Sequence, residues 1–322
     1  MKEYGGYLSL ELLQGSEYYQ NNVEYGVLSV NCGRTAFYCA LLDAKPEKIY
    51  LPHFNCKMSL DPILDLGIDY EFYYLDDDLT PKDICPKENE MVMWINYYGN
   101  ASSEQIQKVV HQYSNLLIDN CHAFFNKPIP GVYNAYSCRK FFGVNDGAYL
   151  IKNKLKDIDL PDETSYENAI HLLKSLDCST NAAYAENLAN ETRLEHNYRS
   201  MSKLTHRILQ SIDYDRVYTI RRRNWETIHA ILGGINDFPL NLDVKQCMCY
   251  PFLKVDDNLR KKLIENKIYV PSWWAHVPEQ TGYSELETKL SKYVFVLPID
   301  QRYTEDDMIY LGNFVKKALG GA

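Results

Sequence analysis

Four short segments of this 322-residue chain carry side chains whose types and spacing could do chemistry. In the first, the apolar run Leu116 to Ile118 ends in Asp119, followed by Asn120-Cys121-His122-Ala123. A carboxylate at the tip of a buried strand is costly unless it faces a cation or a polar ligand. One good use is to pair with a protonated ring nitrogen of an electron-sink cofactor; a helix cap or an ion pair with a nearby arginine would satisfy it too. In the second segment, Ser137-Cys138-Arg139-Lys140-Phe141-Phe142-Gly143, a lysine flanked by aromatic residues leaves a strand. Apolar surroundings depress an amine's pKa and make it usable for Schiff-base chemistry. Ser137, three residues earlier, could bond a phosphate oxygen. The same Ser-x-x-Lys spacing serves serine hydrolases, but their companion motifs are absent, and a surface lysine beside a turn is the plain alternative.

The third segment, Asn31-Cys32-Gly33-Arg34-Thr35-Ala36, turns from an extended run into a helix. Glycine and a hydroxyl residue at a helix start offer free N–H groups and a favourable dipole to an anion; Thr35 serves equally as an ordinary N-cap. In the fourth, Leu194 to Met201, Asn197 could donate to a phosphate and Arg199 could orient an acidic group. Taken alone, it also reads as a capping segment.

The elements that must position these residues follow from the hydrophobic pattern. Strand-like runs at Val27–Val30, Lys48–Phe54, Tyr70–Leu75, Met91–Tyr97, Leu116–Asp119, Ala135–Ser137 and Ala148–Ile151 alternate with helical stretches at Ala36–Leu42, Met58–Leu66 and Glu104–Tyr113. Helix-length connections imply crossovers and a mostly parallel seven-stranded sheet covered on both faces. Ligands of such sheets sit beyond the carboxyl ends of the strands; the first three segments lie at such ends, and the fourth lies ahead of the helix that starts near Ser202. Helical stretches at Glu167–Leu176, Ser202–Ile212 and around Asn224–Leu232 come next. The tail reads as strand Tyr250–Val255, helix Asp257–Asn266, extended Lys267–Val270, strand Tyr293–Pro298 and helix Glu305–Leu319. A large domain over 1–215 and a small C-terminal α/β domain over 216–322 are expected.

Composition removes several classes of function. A net charge of −9 argues against broad nucleic-acid binding. The one dense basic run, Arg221-Arg222-Arg223, reads as a solvated helix face ahead of a ligand clamp. Nine cysteines are odd in number and contain no Cys-x-x-Cys pair, so neither a disulfide framework nor a metal site is expected. The acidic N-terminus has no apolar core and no stretch of about 18 apolar residues occurs, which points to a reduced cytoplasm and no membrane.

In order along the chain, these segments resemble the DegT/StrS-type sugar aminotransferases, pyridoxal phosphate (PLP) enzymes of fold-type I. NCGRTAFYCAL is similar to that family's SGTxAL helix start, LPHFNC to its VPxxT turn, INYYGN to its VHxYG strand end and IDNCHAF to its EDAAQA. YSCRKFFGVNDGAYL is similar to its lysine segment, HNYRSMSKLTHRIL to its NYRM helix and VFVLPIDQRYTEDDM to its closing LPxxxxxTEED. The resemblance runs over roughly residues 25–315. It implies that Lys140 bonds the cofactor and shuttles protons at the substrate carbon, that Asp119 pairs with the pyridine nitrogen, and that His122 replaces a glutamine touching the phenolic oxygen. It also implies that Gly33, Arg34, Thr35 and Ser137 hold the phosphate, and that Asn197 reaches across from the partner of an obligate homodimer with shared active sites. The reaction implied moves an amino group from a donor, typically glutamate, to a nucleotide-linked keto-sugar. Dehydratases of the group carry histidine in place of the lysine, so Lys140 favours transamination.

The departures are informative. Cys56 stands where an aromatic residue often stacks on the cofactor ring, which passes the stacking to Tyr97, Tyr98 or His122. Arg34 replaces a small residue beside the phosphate, and the serine-to-lysine spacing is short. The alternatives are a PLP enzyme acting on a small amino acid or carbonyl compound, and a non-catalytic binding or regulatory protein that keeps the fold. A deep pocket lined by Trp273, Trp274, His276 and Arg302 would favour a large sugar-nucleotide. Closure by those side chains would favour a small substrate or none.

Overall fold

The computed structural model describes residues 4–20 and 24–320. Among the described residues nine strands form: β1 Gly26–Val30, β2 Lys48–Pro52, β3 Asp69–Tyr73, β4 Glu90–Ile95, β5 Leu116–Asp119, β6 Tyr133–Ser137, β7 Ala148–Lys152, β8 Cys249–Leu253 and β9 Val294–Pro298. The helices are α1 Gly33–Ala44, α2 Asp61–Leu66, α3 Ser103–Gln112, α4 Ile170–Asp177, α5 Tyr184–Arg193, α6 Lys203–Gln210, α7 Tyr214–Leu232, α8 Leu259–Glu265, α9 Val277–Gln280, α10 Glu285–Tyr293 and α11 Glu305–Gly320.

The first seven strands make one sheet in the order β1-β7-β6-β5-β4-β2-β3. Strands β3, β2, β4, β5 and β6 run parallel, and only β7 is reversed, pairing antiparallel with both β6 and β1. This is the expected mostly parallel sheet of fold-type I. Its central strands lack alternation because both faces are covered: all six residues of β4 are buried. α1 is buried along most of its length against the sheet. α3 is half-exposed and starts at a capping box in which Ser102 and Gln105 satisfy each other's backbone N–H groups.

The C-terminal part has its own core, in which Trp225, Leu232, Phe252, Leu263, Phe295, Leu297 and Val315 are buried together. Its sheet is the antiparallel pair β8–β9. The extended Lys267–Val270 forms no strand, and Lys267 takes a left-handed φ of 60° that ends α8. The expected border at 215/216 falls in the first turn of α7. Arg221 corrects another expectation: on α7 it is 1% exposed, not solvated. No helix among the described residues is long and apolar enough to cross a membrane.

The segment before β1 is largely extended and exposed, but Glu17 and Tyr19 are buried. Glu17 accepts hydrogen bonds from Tyr149 Oη at 2.5 Å and His206 Nδ1 at 2.6 Å. That bond to Glu17 raises the His206 pKa. A raised folded-state value adds stability that is complete below the unfolded value of about 6.5 and is lost as pH rises through the folded one. The protein is therefore expected to melt at a lower temperature at pH 8 than at pH 6, and His206→Gln should flatten that slope in thermal melts.

Candidate active site

The carboxyl ends of the parallel strands bring together the residues that the sequence singled out. The loop after β5 carries His122, and the short connection from β6 into the reversed β7 carries Lys140. Lys140 Nζ lies 2.8 Å from His122 Nε2. His122 is 2% exposed. Burial first, and then the charge of Lys140, hold its pKa well below the ordinary histidine value. The ring is therefore neutral near pH 7. Its Nε2 accepts from the lysine, which assigns the hydrogen to Nδ1. Nδ1 is buried and has no hydrogen-bond partner among the described residues, a costly condition that a bound polar group would relieve.

Asp119 ends β5, and its Oδ1 accepts from Cys121 N at 2.8 Å. Asn96 N donates to the Asp119 carbonyl at 3.0 Å, and Asn96 Nδ2 to Asn120 Oδ1 at 3.1 Å, which ties the ends of β4 and β5 together. The start of α1 sits against the same turn: a Cβ on Gly33 would stand 3.0 Å from Cys121 Sγ. Cys32 gives this helix no side-chain cap, so its first N–H groups stay free for an anion.

The phosphate-site residues of the sequence reading fall into two groups. Gly33 follows the end of β1 and the buried Ser137 ends β6, on either side of the start of β7, and the Ser137 hydroxyl makes no hydrogen bond among the described residues. Arg34 and Thr35 are engaged elsewhere. The Arg34 guanidinium pairs with Asp61 at 3.1 Å, and the Thr35 hydroxyl donates to Asn31 Oδ1 at 2.5 Å. The Thr35 bond orients Asn31. Asn197 lies beside Asn31 of its own chain, with Asn31 Nδ2 donating to its carbonyl at 2.6 Å and Arg199 Nε to its Oδ1 at 2.6 Å.

Cys56 is exposed and does not join the ring stack. Stacking falls instead to residues far apart in sequence. The Trp273 ring lies 4.5 Å from that of His122 at 30° and 5.0 Å from that of Tyr98 at 10°, with Lys140 Nζ 5.9 Å from its centroid. Trp274 packs edge-on against Phe54 at 4.7 Å. Sequence reasoning took the two tryptophans as packing residues or pocket lining; their adjacency to His122 is a tertiary fact with no local signal. Trp274 has a φ of +43°, uncommon for a bulky residue and a mark of local strain. Clefts of 420 Å³, beside Tyr74 and Glu287, and 460 Å³, behind Tyr97 and Phe238, lie elsewhere, and neither is lined by Lys140, His122 or Asp119. Arg302 chelates Asp300 at 2.7 Å and 2.9 Å instead of lining a pocket.

No protein family and no curated protein matches the chain by sequence. Solved structures do match its fold. The sugar aminotransferase CalS13 from Micromonospora echinospora aligns with a TM-score of 0.63 at 14% identity, covering 90% of this chain and 86% of its own. Spr1654 from Streptococcus pneumoniae, described as a putative sugar aminotransferase in its PLP form, aligns with a TM-score of 0.63 at 12% identity, covering 91% of this chain and 86% of its own. The E. coli GDP-4-keto-6-deoxy-D-mannose-3-dehydratase with bound hydrated PLP aligns with a TM-score of 0.62 at 15% identity, covering 90% and 87%. The fold is that of the PLP-dependent sugar aminotransferases, as the motif resemblance implied.

Proposed function

We propose that this protein is a PLP-dependent aminotransferase that takes an amino group from glutamate and gives it to the carbonyl of a nucleotide-linked keto-sugar. The observation that carries the reading is the contact of Lys140 Nζ with a neutral, buried His122. The residues present fit the cofactor: a carboxylate at Asp119, an uncapped helix start at Gly33, a free hydroxyl at Ser137 and an orphaned Nδ1 on His122. When bound, PLP supplies an electron sink for charge developing at the substrate carbon. Asp119 would hold the positive pyridine nitrogen, while the backbone N–H groups of Gly33, Arg34 and Thr35 would hold the phosphate together with Ser137. Lys140 would carry a proton to and from the substrate carbon, with His122 Nε2 as the acceptor that keeps its amine oriented.

A second copy of the chain would complete the site. Lys140 is exposed in the single chain. Beside it, α4 and α5 expose Ile170, Leu173, Leu176, Tyr184 and Leu188, more apolar surface than an isolated helix pair commonly leaves to water. Arg139, next to Lys140, forms an ion pair with Glu191 of α5. A partner seated there is the route by which Asn197 would reach the neighbouring cofactor.

The test is a visible spectrum of the purified protein with added PLP. A yellow band that borohydride fixes to the protein and that glutamate bleaches supports the reading. A protein that stays colourless overturns it.

One observation favours a second reading, in which the acceptor is a small carbonyl compound. Trp273 and Trp274 cover His122, where a large substrate would need open space. Trp273→Ala would remove that roof. If the acceptor is nucleotide-linked and must displace the indole, its KM should fall in the variant, by roughly tenfold for about 1.4 kcal/mol of relieved displacement cost. If the acceptor is small and packs under the indole, its KM should rise by a similar factor. Steady-state kinetics with one acceptor of each kind decides between them.

A further inference from the structure

α7 places three consecutive arginines in three environments. Arg222 faces solvent and pairs with Glu226 at 3.3 Å. Arg223 reaches Asn224 Oδ1 and the Tyr303 carbonyl. Arg221 is buried, yet no carboxylate bonds it. Its Nη1 donates to the carbonyls of Cys247 and Met248, each at 3.1 Å, and its Nη2 to the carbonyl of Phe141 at 3.4 Å. Its guanidinium lies 4.5 Å from the Phe141 ring centroid. Burial pushes its pKa down to about 10, with Asp300 acting only at a distance. A buried charge facing neutral carbonyls is expensive, and an apolar side chain of similar volume would fill the space at lower cost.

The three carbonyls show what the charge does. Phe141 is the residue after Lys140. Met248, whose carbonyl Arg221 holds, donates its own N–H to the His122 carbonyl at 3.2 Å. One guanidinium thus stands one residue from Lys140 and one backbone hydrogen bond from His122. Gln301, in the loop after β9, donates to the same Phe141 carbonyl at 2.8 Å, so the C-terminal part grips the lysine segment twice.

We propose that Arg221 is a positioning residue that sets the Lys140–His122 contact and makes it depend on the seating of the C-terminal part against the lysine segment. The proposal rests on the reading of Lys140 as the reactive lysine, but its geometric content can be tested without cofactor. Lys140 faces His122 directly, with Cys121 and Cys249 also within electrostatic reach. Any displacement of the pair changes how readily an acylating reagent reaches the Lys140 amine.

The measurement is the rate of Lys140 labelling by acetic anhydride at one fixed pH, read by peptide mass spectrometry on wild type, Arg221→Lys, Arg221→Met and Gln301→Ala. Arg221→Lys keeps a charge but cannot reach three carbonyls at once. It is expected to change the Lys140 labelling rate at least threefold, and Gln301→Ala by less in the same direction. In PLP-loaded protein that transaminates, kcat should fall about 10- to 100-fold with KM within threefold, the scale of a small misplacement of reacting groups. Lowered melting temperatures with an unchanged Lys140 labelling rate in Arg221→Lys and Gln301→Ala would reduce Arg221 to a packing residue and overturn the proposal. Should Arg221→Met fail to fold, those two variants decide it. A wild type that takes up no PLP would sink the proposed function, while the labelling result would still judge Arg221.

Discussion

Lys140→Ala is expected to lower transamination by at least about 10³-fold and to abolish the borohydride-fixable absorbance, while the protein remains folded. In the proposed function the amine is at once the cofactor's anchor and the carrier of the proton, and positioned proton transfer alone contributes roughly 10²–10⁴-fold. Stability should barely change, because the side chain is exposed and its one polar contact is to His122 Nε2. The variant should therefore show an unchanged melting temperature within a few degrees and still take up PLP reversibly, because Asp119 and the start of α1 remain. Peptide mapping after borohydride checks the assignment directly: the cofactor mass should sit on the peptide containing Lys140 in wild type and on no peptide in the variant. Modification of a different lysine in wild type would remove Lys140 from its role.

Gly99→Ala should be the most destabilising single-methyl change in the protein, at about 3–4 kcal/mol. The sum has two parts. Gly99 sits at φ +76°, a left-handed conformation that costs a residue with a Cβ about 1–2 kcal/mol. The added methyl would overlap the His122 carbonyl oxygen and stand 2.8 Å from the carbonyl carbon and 3.2 Å from Ala123 Cα. These are backbone atoms, so relief requires a loop to move, and overpacking of this kind costs about 1–3 kcal/mol. Gly131→Ala is the control, since its φ is +85° but nothing lies within 4 Å of the added methyl. Urea denaturation should separate the two by about 2 kcal/mol; equal losses would mean that the contact with His122 is not tight. The displaced loop carries Tyr98 and Gly99 on one side and His122 on the other, so PLP binding should weaken together with stability.

Why did some of this show in the sequence while the rest did not? The central strands were readable because a strand buried on both faces is an uninterrupted apolar run, and β5 is found at the predicted residues 116–119. The proposed site residues Asp119, His122 and Lys140 were singled out because polar residues stand immediately beyond such runs, and the structure brings Lys140 and His122 into contact. α5 was not found: Tyr184–Arg193 is mostly polar, and its exposed tyrosine and leucine blur the periodicity. Arg221 was misread because a run of like charges in sequence does not say which residue of a helix turn faces inward. The stack of Trp273 on His122 joins residues some 150 positions apart, and no spacing encodes that. That Tyr97, Tyr98 or His122 replaces Cys56 as the stacking residue on the cofactor ring stays a proposal; in the structure Tyr98 and His122 both stack on Trp273, which was not anticipated.

The reversed strand β7 has a consequence for how the molecule assembles. β6, the Lys140 loop and β7 form a sequence-local hairpin over residues 133–152, while β1 pairs with β7 across more than a hundred residues, Val30 opposite Ala148. Local pairings close with little loss of chain entropy and distant ones close late. The lysine therefore belongs to an early-forming unit, and the helix start at Gly33 is delivered to it only when the edge strand docks. In a refolding experiment, acquisition of the yellow colour is expected to lag the recovery of secondary structure and to coincide with the last kinetic phase, which makes the cofactor a natural reporter of completed folding.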